Sequence, residues 1–407
     1  MGEFNLEAYQ LVIQLQQLTP MIHFQHNEYG VTPRASEVKP KLDRFIIAQF
    51  GGIEKLRKEH GNWIDREHGS LKYKMTFVRE NSSQSVDIPY MLFYANMGEE
   101  RKRNPIKMLV GDCKMTILCA VPSLKDYIEE SISTFFVTHT FGMMQGKGFG
   151  GYLPQNYQPS EKDICAAIKK VYQCKSVYSL DTLPPIIVSK GQNHLGKWIT
   201  PRNVFDDIIK PFHSIMKSGV NFGVYERSFL FQHFHKNPNI QYGNDKAFVK
   251  AKGIAPVVYK IRNLANGEHK RKYENFKYVR ALLGVTGKVE YIQGLDANDK
   301  PLKNSKGKVI KEIITIKGMS GIERFASPVR YRIIGHKLYI FATPIEDEIH
   351  GAPFQFQSSI GTESISVPDA HDFDIDTFLS DFITHINNDP VARRAARFSN
   401  EKFLEVK

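Results

Sequence analysis

Little in this chain points to a metal or to an oxidising compartment. Its four cysteines, Cys113, Cys119, Cys165 and Cys174, are scattered and form no Cys-x-x-Cys pair. That spacing argues against both a zinc site and a disulfide framework, and leaves the thiols as small core residues of a cytoplasmic protein. No apolar run approaches the ~18 residues that span a bilayer. The opening MGEFNLEAYQ has neither a basic n-region nor an apolar h-region, so no secretory leader is expected. Leu6 stands where N-myristoylation of Gly2 would want Ser or Thr, so no lipid anchor is expected either. Acidic side chains are also in deficit: 43 Asp and Glu face 55 Lys and Arg, a formal charge of +12 and a pI near 9.3. A chain this basic suggests a polyanionic partner, nucleic acid first and an anionic membrane second. At 407 residues it is long for one domain, and two are expected.

What is present in excess is glycine at one place. Phe141–Tyr152 reads FGMMQGKGFGGY, with glycine at 142, 146, 148, 150 and 151. Glycine accepts positive φ and leaves backbone N–H groups uncovered, so such a run can form an anion nest. Lys147 adds a point charge, and Phe149 and Tyr152 offer faces on which a base could stack. Upstream, Ser123–Thr140 puts Leu124, Ile128, Ile132, Phe135, Phe136 and His139 near one helical face, which predicts a helix running into the loop. That polarity is opposite to a dinucleotide or P-loop fingerprint, in which glycines follow a strand and precede a helix. No cofactor and no metal site are therefore expected; a plain mobile loop is the competing reading.

Elsewhere, Tyr9–Leu18 alternates as a half-buried strand and stops at Thr19-Pro20-Met21, before a loop holding His23, His26, Asn27 and Gly30. Arg34, Lys39, Lys41 and Arg44 crowd the start of the next helix, where they oppose its dipole unless an anion lies nearby. The helix runs to Gly51-Gly52, and a second stretch covers Ile53–His60. Strands are predicted at Leu71–Arg79, Val86–Asn96 and Lys114–Val121, with Asn96–Ile106 a charged loop carrying Arg101, Lys102 and Arg103. Ser160 with Asp163 predicts a capped helix to Cys174, and a Pro211-kinked helix is expected to end at Gly219. His233-x-His235 lacks a third ligand at metal spacing and reads as core or surface histidine. His269–Lys277, with Lys270, Arg271 and Lys272, is the densest basic run. Arg324 precedes Ala326-Ser327-Pro328 and a strand pair at Val329–Ile334 and Leu338–Thr343; an amphipathic helix at Asp372–Asn387 and a basic tail, Val391–Lys407, close the chain.

The order strand, helix, three strands, helix is a ferredoxin-like βαββαβ order with one strand added. In that fold one sheet face is open and can take single-stranded RNA, as RRM domains do. A helix ending in a Phe-Gly-rich turn resembles the glycine-rich loop of the RAMP proteins, RNA-binding subunits of CRISPR effector complexes. The pattern is most similar to the large tandem-RAMP subunit of type III-B (Cmr) complexes. Phe141-Gly142 and Gly148-Phe149-Gly150-Gly151 match its loop frame, the Leu-Thr-Pro-Met strand end matches its first strand, and Arg34, Val38, Lys39 and Leu42 match the opening of its first helix. Arg324 and Ala-Ser-Pro resemble the start of its second strand pair. The departures are Met143, Met144 and Gln145 in place of loop arginines, and Asp43 where an Arg is expected, with Arg44 one place later.

The resemblance implies an α+β fold of tandem ferredoxin-like (RRM-like, RAMP) domains with insertions: residues 1–158 an N-terminal RAMP domain with the glycine-rich loop, and residues 159–407 a C-terminal RAMP-like domain with helical and basic insertions. It implies a non-catalytic, cytoplasmic subunit that holds guide RNA, target RNA or both by the backbone, together with other CRISPR effector subunits and no membrane. The RNA-binding residues expected are Arg34, Lys39, Lys41, Arg44, Gly142, Gly146, Lys147, Gly148, Phe149, Gly150, Gly151, Lys270, Arg271, Lys272 and Arg324. The alternative is a metal-independent RAMP endoribonuclease that processes CRISPR transcripts, with His23, His26 or His139 and Lys147 as acid–base candidates. A third reading is an unrelated nucleic-acid or anionic-lipid binder.

Overall fold

A computed structural model describes residues 6–22, 32–79, 84–87, 107–181, 204–222, 224–236, 242–256, 275–296, 300–396 and 402–407. The chain divides into two compact units, one of residues 1–209, 330–341 and 400–407, the other of residues 210–329 and 342–399.

The first unit begins with strand β1 (Gln10–Gln17), whose alternation places Leu11 and Leu15 inward and Val12 outward. Helices α1 (Ala35–Gln49) and α2 (Ile53–His60) follow, separated by Gly51 and Gly52 at positive φ. Next come strands β2 (Lys74–Arg79) and β3 (Cys113–Leu118), helix α3 (Pro122–Thr138), with Pro122 in its first turn, and strand β4 (Tyr152–Pro154). These strands form an antiparallel sheet in the order β2-β3-β1-β4, the ferredoxin-like arrangement. The inward residues of β1 and β3 pack with α1 and α3 in one core.

A second sheet of the same order lies in the same unit. Helix α4 (Glu161–Tyr172) starts on a capping box in which Ser160 Oγ accepts from Asp163 N–H and Asp163 accepts from Ser160 N–H. Strands β5 (Val177–Asp181), β6 (Val329–Ile334), β7 (Lys337–Ala342) and β8 (Leu404–Glu405) pair in the order β6-β7-β5-β8. The fold is thus α+β with the ferredoxin-like strand order appearing twice. The four cysteines are buried and none forms a disulfide.

Three expectations need correction. Of the strand expected at Val86–Asn96, residues 88–96 lie outside the described residues; its start falls in a strand at Gln84–Asp87, which pairs with an unanticipated strand at Lys107–Val110, which in turn pairs with Met21–Ile22. The strand added to the βαββαβ order thus belongs to this small three-stranded side sheet. The tail expected at Val391–Lys407 holds a helix, Pro390–Ala395, and the edge strand β8. The Pro211 helix starts as a wide π-type turn at Val204–Ile209 and becomes α-helical at Lys210–Lys217, because the missing Pro211 N–H interrupts the ladder.

The second unit contains an antiparallel sheet of Lys288–Ile292, Lys311–Gly318, Pro353–Gln357 and Thr362–Ser366 in that order, with helices that include Phe229–Lys236 and Ile375–Asn388. His233 sits edge-on to Phe378 and His235 stacks on Phe231, which makes both histidines packing partners of phenyl rings. In the same unit, the Arg280 guanidinium pairs with fully buried Asp245, and Lys217 Nζ donates to the Leu283 and Gly284 carbonyls. Burial, and then the Arg280 charge, push Lys217 down to about 7. The unfolded chain keeps that proton to about pH 10, so between pH 7 and 10 it binds more protons than the native state and native stability rises with pH. Urea unfolding should show wild type gaining stability over Lys217→Met as pH rises from about 7 to 9; a pH-independent difference would contradict the assignment.

Candidate nucleic-acid interface

The glycine-rich loop starts at a helix end that other elements complete. An α-helix leaves its last four carbonyls without partners. In α3 the Phe135 carbonyl accepts from His139 N–H (2.9 Å), Phe136 and Val137 accept from the Arg332 guanidinium (2.6–2.9 Å), and Thr138 accepts from Tyr172 Oη (2.6 Å). Arg332 comes from β6 and is 3% exposed. Burial lowers its pKa to about 10, which leaves it charged at neutral pH, where it meets the negative end of the helix dipole.

Beyond the helix the loop folds back on itself. Phe141 N–H donates to the Gly150 carbonyl (2.9 Å), Gly150 N–H to Pro20 (2.8 Å) and Met143 N–H to Ile22 (2.8 Å). Thr19, 2% exposed, donates its hydroxyl to the Gly148 carbonyl (2.7 Å) and accepts from Gly151 N–H (2.8 Å). The Thr-Pro strand end is therefore the staple of this loop. Gly150 has φ +72°, and a Cβ there would stand 1.8 Å from the Phe141 carbonyl oxygen; at Gly142, φ +80°, it would stand 2.6 Å from that of Ile22. These two positions require glycine.

The expected open nest is accordingly reduced. Gly148, Gly150 and Gly151 are buried and their N–H groups are spent within the protein. Gly142 N–H already holds an anion, the Glu37 carboxylate, at 3.0 and 3.1 Å. Among the described residues, the N–H groups of Met144, Gln145 and Gly146 have no partner, and these three residues are half-buried at the loop tip. Phe149 and Tyr152 are 7% and 2% exposed, with Phe149 packed on Phe205 at 5.3 Å between centroids, so neither ring is presented to a base. Lys147 is likewise turned inward, its Nζ 4.9 Å from the centre of the Tyr331 ring, and the Gly146 carbonyl accepts from Tyr331 N–H (3.1 Å).

The cations of α1 divide into two classes. Lys39 is structural: its Nζ pairs with Asp43 (2.8 Å), donates to the Leu71 carbonyl (3.0 Å) and lies over Tyr73. Asp43, the departure from the family pattern, is the anion that balances it. Lys41 donates to Glu37 (2.8 Å), Gln145 Oε1 (2.8 Å) and the Thr140 carbonyl (3.0 Å), which ties the helix to the loop tip. Burial lowers its pKa, as do the neighbouring charges of Arg44 and Arg330, while Glu37 opposes the shift. The anion that the crowded helix start required is thus supplied from within. Arg34 and Arg44 are exposed and have no ion pair among the described residues; Arg330 lies over the Tyr172 ring at 5.3 Å. Helical spacing puts Arg34, Glu37, Lys41 and Arg44 on one face, giving four cations with Arg330 against one carboxylate beside the loop tip.

Arg324 is exposed and belongs to the second unit. Lys270, Arg271 and Lys272 lie outside the described residues, as do His23, His26 and Arg101–Arg103. His139 stacks on Phe135 at 4.6 Å. Burial foremost, then the charges of Arg332, Lys41 and Arg330, lower its pKa to about 3 against a hydrogen bond with the Phe135 carbonyl. Sequence reasoning missed Glu37, Gln145, Tyr172, Arg330 and Arg332. The last two carried a signal, two arginines at alternate positions of an otherwise apolar strand, VRYRII.

The comparison with protein-family models places the chain among known proteins. The family model of the Cmr1 N-terminal domain matches residues 8–220, and that of the Cmr1 C-terminal domain matches residues 225–402. Cmr1 from Pyrococcus furiosus, solved in its apo form, is similar over 88% of this chain and 99% of its own, with 10% identity and a TM-score of 0.39. A search of curated proteins finds no match.

Replacing Arg332 by Met strands two buried carbonyls, each worth about 1–3 kcal/mol when unpaired. Thermal unfolding should show a loss of about 3 kcal/mol or more for Arg332→Met and a comparable loss for Gly150→Ala. The exposed control Arg44→Met should stay within about 0.5 kcal/mol of wild type. A wild-type melting curve for Arg332→Met would remove the helix cap from the account.

Proposed function

The chain belongs to the Cmr1 family, the RAMP-type subunits of type III-B CRISPR effector complexes, and from that premise we propose that it is a non-catalytic subunit that holds RNA by its backbone. The observation that carries this reading is the excess of cations beside the loop tip: Lys41 is spent on Glu37, the one carboxylate on that helix face, which leaves Arg34, Arg44 and Arg330 for a ligand. A patch with an excess of cations neutralises phosphates, and the three free N–H groups of the tip add short-range donors. Neither loop aromatic is available for stacking, so recognition falls to the sugar-phosphate chain and sequence preference is slight. Arg324 and the basic run at Lys270, Arg271 and Lys272 are further proposed RNA contacts, argued from their charge in the sequence alone. The ligand is single-stranded RNA, guide or target, in the cytoplasm and in company with other effector subunits.

We assign residues 1–158 and 159–407 to the two RAMP repeats. The repeated strand order supports this division, since the first sheet closes at Pro154 and the second opens at Val177. The nuclease reading gains no support from His139. A base whose pKa is about 3 accepts a proton poorly at neutral pH, and Lys147 is aimed at a tyrosine ring rather than at solvent.

The test is binding of labelled single-stranded RNA across a salt series. Arg34→Glu with Arg44→Glu should weaken binding about tenfold or more at low salt and reduce the salt slope by about 0.7 for each phosphate no longer neutralised. Wild-type affinity and slope in the double variant would remove this face from the RNA site.

A further inference from the structure

The helices of the first repeat cover one face of the sheet β2-β3-β1-β4; on the other face, among the described residues, the outward positions of β1, β2 and β3 are half-buried or exposed, while Leu153 of β4, across from Gln16, is buried. Outward positions on β1, β2 and β3 alternate with the core residues. Three are aliphatic and well exposed: Val12 at 50%, Val78 at 54% and Leu118 at 43%. Two are lysines, Lys74 and Lys114, and the others are glutamine and threonine. The register sets Lys74 across from Leu118 and Lys114 across from Val78. Each lysine therefore stands beside an aliphatic side chain, and the two pairs are about 13 Å apart along the strands. No outward position on these strands is a carboxylate, and neither lysine has an ion pair among the described residues.

This composition discriminates among occupants. A single-stranded RNA on such a sheet is held by aromatic stacking, and none of these positions is aromatic or arginine. A second copy of the chain, packed about a two-fold axis, would bring lysine against lysine with no carboxylate to answer it. Exposed aliphatic rows flanked by unanswered cations are complementary to a polypeptide whose apolar stripe is flanked by acids. We infer that the outer face of the first sheet docks an acidic, amphipathic segment of another protein subunit, an inference that rests on the chain working within a multi-subunit effector. On a helix, carboxylates two turns apart, about 11 Å, would reach both lysines while the residues between them cover Val12, Val78 and Leu118.

The test uses the full chain in the assembled effector complex, purified with its other subunits and guide RNA. p-Benzoylphenylalanine replaces Val12 in one preparation and Leu118 in another, and the adducts formed on irradiation are mapped by mass spectrometry. The expected adduct is with a different polypeptide, in a segment carrying at least two Asp or Glu about two helical turns apart around aliphatic residues. An adduct with RNA, with a second copy or with a segment lacking carboxylates, or no adduct at all, overturns the inference. Independently, Lys74→Glu with Lys114→Glu should lower incorporation into the complex about tenfold at low salt, and the isolated variant should keep wild-type RNA affinity. Normal incorporation would overturn the docking face. Loss of RNA affinity in the isolated variant would instead place the RNA on this sheet, against both readings.

Discussion

The carbonyls at the end of α3 are the constraint on which the first unit turns. A helix that stops in the interior exposes groups that only donors from elsewhere can satisfy, and here the donors are charged or aromatic side chains distant in sequence. Arg332 reaches them from the second repeat and Tyr172 from the helix that opens it. The glycine-rich loop is anchored on β6 as well as on the strand end at Thr19 and Pro20. Tyr331, the neighbour of Arg332 on that strand, holds the loop's other flank, its N–H on the Gly146 carbonyl and its ring under Lys147. Tandem repeats are thereby joined through one buried guanidinium rather than through apolar packing alone.

That dependence changes what the loop can do. A free glycine nest would be soft and strongly anion-seeking; this one is held by Thr19, Pro20 and Ile22, and its first N–H is given to Glu37. The protein has filled its own anion site with its own carboxylate. Lys39 and Lys41 are then committed to Asp43 and Glu37, and the charge left for a ligand resides on arginines at the rim. The methionines and the glutamine of the loop tip agree with this. Gln145 serves as a bridge to Glu37 and Lys41, a task that needs both a donor and an acceptor and that an arginine could not perform.

The elements with a clear hydrophobic period were legible from sequence: β1, α1, α2, α3 and the β6–β7 hairpin all lie within a few residues of where the pattern puts them. β4 and β8 were not, because strands of three and two residues are too short to display a period. At the site, the glycine run and the Thr-Pro end could be seen, but their direction could not. Whether an N–H in such a run faces water or the Pro20 carbonyl depends on pairing between residues far apart in the chain, and Phe149 reads the same whether it faces a base or Phe205. The i,i+4 pairs Glu37–Lys41 and Lys39–Asp43 were in plain view and would have divided the cations into used and unused.

A two-layer repeat also separates its surfaces. Arg34, Lys41 and Arg44 belong to a helix packed on the inner face of the first sheet, whereas Lys74 and Lys114 stand on the opposite face of that sheet. A ligand on the helix layer and a polypeptide on the sheet therefore do not compete for space. An RNA-facing sheet of the RRM kind needs stacking residues, which the outward positions of β1, β2 and β3 lack. With the sheet relieved of that role, its three exposed aliphatics are better understood as surface awaiting cover, and the arginine rim as surface that must stay open.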